Sequence, residues 1–355
     1  MTKLRRARSR SAHLAAAGLA IAGGAIGWKV LRAHDAEALA ADPERHELER
    51  PAAGSPFTVL APDGTELHAE VAGPPDAATV VLVHGWMCTS AVWRLQVRAL
   101  SPHLRVVTYD QRGHGQSAAA SDADHSSDAL AADLAAVLDQ AVPAGTRVVV
   151  AGHSMGAMAV VAFAHAHRHE VGDRLAGVAL VNVGVEDLIL RSTIIPFPLA
   201  LAALRHAIGE RVLGSRPPLP SSTNPVLSRL VRAIALAPAA SPAQVALCTE
   251  MLLDCRTAAR AGFGTTLSTI QLAHGLPALT VPTIVIAGQH DRLTPPVHAR
   301  AIAAALPNAT LVELVGTGHM APIEAHGEIS RHIHQLAATV LSEDVSAPED
   351  YLLGR

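Results

Sequence analysis

The chain has 355 residues, of which 50% are hydrophobic and only 3% aromatic, and its formal net charge is −3. This length and apolar content favour one large α/β domain with an insertion, and the even spread of Lys and Arg over the body of the chain excludes a nucleic-acid-binding surface. Three cysteines without a C-x-x-C pair are expected to be small buried core residues, and no metal or other cofactor is expected.

The N-terminus combines a basic cluster with a stretch, Ser11 to Trp28, that lacks Asp, Glu, Lys and Arg. As a helix this stretch would be roughly 27 Å long, close to the thickness of the apolar bilayer core. Residues 1–32 are therefore predicted as a membrane anchor, with association through 11–31 and the folded domain outside the cytoplasm. A cleaved signal peptide and a soluble extension are the alternatives, which would give a secreted or a cytoplasmic protein. The polar segment 33–56 is predicted as a linker.

The folded domain is predicted at 57–345 and begins with a hairpin. Two strand-like runs, Thr58 to Leu60 and Leu67 to Val71, flank Asp63-Gly64, a dipeptide typical of hairpin turns. Beyond them, buried runs rich in β-branched residues alternate with segments of helical spacing. The predicted strands are 79–83, 105–109, 147–151, 178–183, 283–287 and 309–314, and the predicted helices are 127–140, 155–166, 299–306 and 324–341. This alternation predicts an α/β fold with a mostly parallel, doubly wound sheet.

One long interval, 184–277, interrupts the alternation of strands and helices. It has no clear β pattern but contains apolar helical stretches such as 199–208 and 242–253. We therefore predict that 184–277 is a helical cap inserted into the domain.

The motif Gly152-His153-Ser154-Met155-Gly156 fits G-x-S-x-G and lies directly between a predicted buried strand and a predicted helix. That position is the one the motif requires, because its serine occupies a strained strand-to-helix turn where bulk on either side would clash. Ser154 is therefore predicted as a nucleophile. His153 is expected to have a packing or supporting role.

A serine nucleophile needs a base, and that base needs an orienting carboxylate. His319 is the predicted base because it follows the last strand in a Gly-rich loop. Asp291 is the predicted acid because it follows the preceding strand, which gives the chain order Ser, Asp, His. Glu186 and Asp187, which follow the strand before that, compete with Asp291 for this role.

The oxyanion of a tetrahedral intermediate needs two backbone donors. One is predicted at Met155, directly after the nucleophile. The other is predicted at Trp86, in the loop that follows the strand 79–83, where Gly85 allows the backbone to turn inward.

Together these motifs resemble the capped α/β-hydrolase family of bacterial serine esterases, lipases and cofactor-free haloperoxidases. The resemblance covers about 57–341 and also includes the run Asp110 to Ser117, which in the family forms a turn supporting the oxyanion loop. Asp110, Arg112, His114 and Ser117 are therefore given structural roles. Ala157 departs from the family, in which glycine is common at this position. A serine nucleophile argues against the epoxide hydrolases and haloalkane dehalogenases of this fold, which use Asp.

The resemblance implies a serine hydrolase that cleaves a carboxylic ester by two-step acyl transfer. Thioester, lactone or amide hydrolysis and peroxide-dependent perhydrolysis would use the same groups. A non-catalytic ligand receptor is the rival from another class, although all three triad positions are filled here. The apolar residues at the start of the cap favour an apolar small-molecule substrate or simply form the core of the cap. They are Ile194, Ile195, Phe197, Leu199 and Leu201.

Overall fold

The computed structural model describes residues 27–120, 123–194 and 201–341. Within them the strands are β1 Ser55–Leu60, β2 Glu66–Ala72, β3 Thr79–Val83, β4 Arg105–Tyr109, β5 Val148–His153, β6 Leu175–Val181, β7 Thr283–Gly288 and β8 Ala309–Leu314. The helices are α1 (27–40), α2 Arg45–Glu49, α3 Arg94–Leu100, α4 Ser127–Ala141, α5 Met155–Ala166, α6 Leu188–Arg191, α7 Ala202–Leu213, α8 Pro225–Ala235, α9 Pro242–Asp254, α10 Thr257–Thr269, α11 Pro296–Ala305, α12 Ala321–Glu324 and α13 His326–Val340.

The strands form one sheet in the order β1-β2-β4-β3-β5-β6-β7-β8. β1 pairs antiparallel with β2, and β2 pairs antiparallel with β4, whereas the remaining neighbours are parallel. The predicted hairpin and the mostly parallel α/β sheet are thus confirmed. Helices cover both faces, with α4 and α5 in one apolar core and α3 and α13 in the other.

Strand register brings the candidate residues to one edge of the sheet. Val83 at the end of β3 pairs with Tyr109 of β4 on one side and with Gly152 of β5 on the other. β6 and β7 run parallel to these strands, so the loops after them open at the same edge. β3, β5 and β6 are buried along their whole length, which explains their continuous apolar sequences.

Several helices differ in detail from the prediction. The last predicted helix, 324–341, is divided into α12 and α13, because Ala325 adopts φ −131° and ψ 43°, outside the helical region. α3, α8 and α10 were not predicted as separate elements. The three cysteines, Cys88, Cys248 and Cys255, are free and buried, as expected.

Between β6 and β7 the described residues are helical, with α6 to α10 and a 3₁₀-helix at Ala273–Ala278 and no strand. α8 begins after Asn224, whose side chain accepts hydrogen bonds from the amides of Val226 and Leu227. α9 begins with a capping box formed by Ser241 and Gln244. The boundaries of the cap, 184–277, stay a prediction.

The prediction of a membrane-associated protein is wrong on the present structure. No helix among residues 27–120, 123–194 and 201–341 is both long and apolar enough to cross a membrane. Helix α1, which overlaps the end of the predicted anchor, carries charged side chains, and its Asp35 pairs with Arg229 of α8 at 2.8 Å. Most of the predicted anchor, up to residue 26, lies outside the described residues.

The segment 33–56, predicted as a linker, is helical over much of its length in α1 and α2. The carboxylate of Asp42 accepts a hydrogen bond of 2.7 Å from the amide of Ala243, at the start of α9. Leu48 of α2 is buried at 3% exposure in the core on the α3 side of the sheet. This segment therefore packs against both the cap and the main domain.

Candidate active site

Ser154 lies at the turn between β5 and α5 with φ 52° and ψ −117°. Backbone of this kind is strained for a residue with a side chain, and such strain concentrates at functional sites. The turn needs its flanking glycine, because a Cβ at Gly156 would lie 2.3 Å from the carbonyl oxygen of Val83. The sequence motif thus produces a tight elbow, with Ser154 at the amino end of a 12-residue helix whose dipole favours negative charge.

His319 lies in the loop between β8 and α12, and its ring reaches the serine. The Nε2 atom is 3.0 Å from Ser154 Oγ. The backbone amide of His319 donates to the carbonyl of Ala235, at the end of α8, at 2.9 Å. The loop that carries the imidazole is therefore in direct contact with the cap.

Asp291 completes the chain of hydrogen bonds, since its Oδ2 is 2.8 Å from His319 Nδ1. Its Oδ1 accepts the amides of Leu293 and Thr294, each at 2.9 Å. Burial raises the pKa of this carboxyl, but the nearby His319 and the hydrogen bonds outweigh burial, so the net pKa is lowered. The carboxylate form is thereby favoured in a buried position.

Two polar side chains that the sequence did not predict also donate hydrogen bonds to Asp291. Asn182 follows β6 and donates from Nδ2 to Asp291 Oδ2 at 2.8 Å and to the carbonyl of Gly318 at 3.1 Å. Thr294 donates its hydroxyl to the same carboxylate oxygen at 2.8 Å. Asn182 therefore joins the acid to the loop of the histidine.

Glu186 and Asp187, the competing acids, have a different environment. Both are partly exposed, and their carboxylates lie 3.7 Å and 3.4 Å from the guanidinium of Arg191. Within the described residues, the carboxylate hydrogen-bonded to His319 is that of Asp291.

His153 contacts the backbone of the loop that carries His319. Its Nε2 is 2.8 Å from the carbonyl oxygen of His319, so this nitrogen carries the proton and donates. Burial lowers the pKa of His153 to about 3, an effect that the neighbouring His319 reinforces. His153 is therefore neutral near pH 7, in the supporting role that the sequence suggested.

The loop 84–87 runs alongside the nucleophile. A Cβ on Gly85 would lie 2.9 Å from His153 Nδ1 and 3.1 Å from the Cβ of Ser154, so a side chain here would force these neighbours to shift. Met155 opens α5, and a first-turn amide has no acceptor within its own helix. Of the two predicted donor residues, Trp86 thus lies in the loop beside Ser154, and Met155 directly follows Ser154 in the chain.

Residues of the run Asp110 to Ser117 fix the loop 84–90 through long-range hydrogen bonds. Asp110 Oδ1 accepts the amide of Ser90 at 2.7 Å, and His114 Nε2 accepts the amide of Met87 at 3.3 Å. The amide of Gln111 donates to His84 Nε2 at 2.8 Å. These contacts give the run the supporting role that the resemblance implied.

Arg112 anchors that run to the rest of the fold. Its guanidinium is bidentate on Asp133 of α4, with two contacts of 2.7 Å, and also reaches Asp63 in the β1–β2 turn at 3.0 Å. Arg112 and Asp133 are both buried, and pairing satisfies charges that would otherwise be costly there.

A family model described as the alpha/beta hydrolase family matches residues 80–332. The chain belongs to the α/β hydrolase family. Among curated proteins it is 29% identical over 290 residues to the Variovorax paradoxus protein named "Putative carbamate hydrolase RutD", covering 79% of this chain and 99% of that one.

Solved structures of other α/β hydrolases give a consistent picture. An esterase from Thermogutta terrifontis is 26% identical with a TM-score of 0.64 and covers 81% of this chain and 99% of its own. The enol-lactonase from Burkholderia xenovorans LB400 is 26% identical with a TM-score of 0.62 and covers 79% of this chain and 99% of its own.

The cap of this α/β hydrolase contacts the loop 84–87 directly. The indole Nε1 of Trp86 donates to the carbonyl of Arg260 in α10 at 3.2 Å. A second contact joins the cap to the histidine loop, where the carbonyl of Ala235 accepts the amide of His319. Of the apolar residues expected near the start of the cap, Ile195, Phe197 and Leu199 lie outside the described residues.

Proposed function

We propose that this α/β hydrolase is a serine hydrolase that cleaves carboxylic esters, with Ser154 as nucleophile, His319 as base and Asp291 as the orienting acid. The observation that carries the proposal is the continuous chain of contacts from Ser154 Oγ to His319 Nε2 at 3.0 Å and from His319 Nδ1 to Asp291 at 2.8 Å. This geometry matches what serine activation requires.

The first step forms an acyl-enzyme. Ser154 Oγ attacks the ester carbonyl carbon while its proton moves to His319 Nε2. The resulting imidazolium then protonates the leaving alcohol as the bond between the carbonyl carbon and the alcohol oxygen breaks. In the second step His319 takes a proton from water, the hydroxide oxygen attacks the acyl carbon, and the proton returns to Ser154 as the acid leaves.

The proposed oxyanion donors are the backbone amides of Trp86 and Met155. Support comes from the close approach of the loop 84–87 to Ser154 and from the position of Met155 at the start of α5. Fixed donors of this kind stabilise the developing negative charge without reorganising. Further support comes from the run Asp110 to Ser117 and Arg260, whose hydrogen bonds hold this loop in place.

An apolar small-molecule ester is the proposed substrate, because the residues at the start of the cap are apolar. Lactone hydrolysis is the second candidate, favoured by the similarity to a protein described as an enol-lactonase. A cyclic ester would react through the same acyl-enzyme, with the leaving alcohol still attached. The carbamate hydrolase name of a relative makes carbamates a third class for testing.

A substrate panel tests the proposal. Purified protein is assayed with p-nitrophenyl esters of graded acyl length, with a lactone and with a p-nitrophenyl carbamate, and each assay is repeated with Ser154→Ala. We expect ester turnover that Ser154→Ala reduces by a factor on the order of 10⁵ or more, as in other serine hydrolases. Full turnover by Ser154→Ala would refute the assignment, and exclusive turnover of the lactone or the carbamate would refute the ester.

A further inference from the structure

The carboxylate of Glu324, the last residue of α12, binds the backbone on both sides of His319. Its Oε2 accepts the amide of Gly318 at 3.1 Å, and its Oε1 accepts the amide of Met320 at 3.0 Å. One side chain thus accepts hydrogen bonds from the residues on both sides of the proposed base. Charge-assisted hydrogen bonds from backbone amides to a carboxylate are stronger than neutral ones.

A third hydrogen bond joins Glu324 to the cap. Glu324 Oε2 also accepts a hydrogen bond of 2.7 Å from the amide of Ala237. Ala237 belongs to the cap connection 235–237, which begins at the last residue of α8. The same connection accepts the amide of His319 through the carbonyl of Ala235. The carboxylate therefore lies where the histidine loop and the cap meet.

The two backbones at this junction touch with no room for a side chain. A Cβ on Gly318 would lie 2.4 Å from the amide nitrogen of Ala237 and 2.6 Å from the carbonyl carbon of Leu236. A displacement of the cap connection would therefore press directly on the residue before His319. Glu324 holds both segments and so limits their relative movement.

The carboxylate of Glu324 is bound by backbone amides. Among the ion pairs of the described residues none involves this carboxylate, and backbone amides are the partners that satisfy it. Burial raises the pKa of Glu324, and the three amides and His319 reduce that rise without cancelling it, so the net pKa is raised.

We propose that Glu324 is a positioning residue for acyl transfer, whose carboxylate fixes the backbone of His319 relative to Ser154 and ties that backbone to the cap connection 235–237. The inference rests on the proposed function, because it assigns Glu324 a role in bringing the base to the nucleophile. Its physical basis is the steep dependence of such reactions on geometry, since a displacement of about 1 Å costs on the order of 100-fold in rate.

Glu324→Gln is the central variant. Glutamine keeps the shape of the side chain but replaces one accepting oxygen by an NH₂ group, which would face a backbone N–H, donor against donor. We expect kcat for the best p-nitrophenyl ester and the rate constant for inactivation by a fluorophosphonate each to fall at least about tenfold. KM should change less than about threefold, because the loss falls on the chemical step.

Glu328→Gln is the matched control. Glu328 lies four positions along the chain on α13, and its side chain is 54% exposed and pairs with Arg331. Its removal should leave kcat and the inactivation rate unchanged. A change of equal size in both variants would overturn the specific role of Glu324.

Ala237→Pro tests the link to the cap separately, since it deletes one donor and leaves the amides of Gly318 and Met320 in place. Leu236, the residue before it, is extended with φ −118° and ψ 161°, as a following proline requires, and the ring Cδ that replaces the N–H would push the cap segment away from the Glu324 carboxylate. We expect a loss of kcat smaller than in Glu324→Gln. Unchanged kcat in Ala237→Pro would overturn the link to the cap.

Glu324→Asp keeps a carboxylate on a shorter side chain. Its kcat is compared with that of Glu324→Gln, to separate loss of the carboxylate from a fold defect. Circular dichroism and thermal unfolding are recorded for every variant. Folded Glu324→Gln with full kcat and a full inactivation rate would overturn the proposal even if its unfolding temperature were lower. Activity that persists in Ser154→Ala would instead overturn the proposed function, so the two failures are distinct.

Discussion

At the scale of single residues, the candidate site consists of side chains that local sequence identifies and side chains that it does not. Ser154 was predictable because its glycine-flanked motif specifies a tight turn by itself, and His319 and Asp291 because each follows a strand at the same sheet edge. Asn182 was not predictable, because its partner Asp291 is 109 positions away in the chain. No local pattern reports a contact at that distance.

Asn182 nevertheless carries one signal that a closer inspection of the sequence could use. It stands directly after a buried strand whose end lies beside the nucleophile turn, with the amide of Ser154 donating to Val181. Its backbone has φ 48°, a conformation that asparagine tolerates better than most residues. A polar residue at a strand end in such a fold is therefore a reasonable candidate for the site.

The assignment of the acid leads to a prediction for Asp291→Asn. The amide would retain the shape of the carboxylate but would not stabilise the imidazolium or fix its tautomer. We expect kcat to fall by a factor on the order of 10⁴, the loss found when the triad aspartate of a serine protease is replaced by asparagine. Steady-state kinetics with a p-nitrophenyl ester at pH 7 measures the effect.

Glu186→Gln and Asp187→Asn are the controls for that prediction, because their carboxylates are partly exposed and pair with Arg191. Both variants should keep kcat within about threefold of the wild type, since surface pairs contribute little. If either variant lost more activity than Asp291→Asn, the acid would have been misassigned.

At the scale of secondary-structure elements, the strands were easier to predict than the cap helices. β3 and β4 coincide with the predicted bounds, because buried parallel strands have continuous β-branched sequences. α8 and α10 were missed although both lie in the predicted cap. α10 contains two glycines and five threonines or serines in its 13 residues, so its intrinsic helix propensity is low and packing determines its structure.

The last predicted helix shows how tertiary contacts can divide an element. The sequence favoured one helix over 324–341, yet the structure breaks it at Ala325. The short helix α12 thereby turns Glu324 back toward Gly318 and Met320. A continuous helix would satisfy periodicity, but these tertiary hydrogen bonds are outside the reach of a periodicity rule.

At the scale of the whole molecule, buried histidines link stability to pH. Burial lowers the pKa of His114 and His153 to about 3 and that of His298 to about 4. In the unfolded chain a histidine has a pKa of about 6.5. Between these values the unfolded state binds protons that the folded state does not, so their contribution to stability is complete above about pH 6.5 and is lost as the pH falls toward 4 and 3.

We therefore expect the free energy of unfolding to decrease from about pH 7 to about pH 5, each such histidine contributing up to about 1.4 kcal/mol per pH unit. Urea unfolding at the two pH values measures the slope. His298→Gln should reduce it, whereas His206→Gln, at a side chain 41% exposed on α7, should leave it unchanged. Equal stability of the wild type at both pH values would contradict the expectation.

The central claim of the account is that Ser154 is an activated nucleophile, and the most direct measurement is the site of covalent modification. Protein is incubated with a fluorophosphonate and its peptides are mapped by mass spectrometry, with Ser154→Ala treated in parallel. The account predicts one phosphonyl group, on the peptide containing Ser154, and no labelling of the variant. Labelling at another residue, or an unmodified wild type under conditions that label other serine hydrolases, would contradict it.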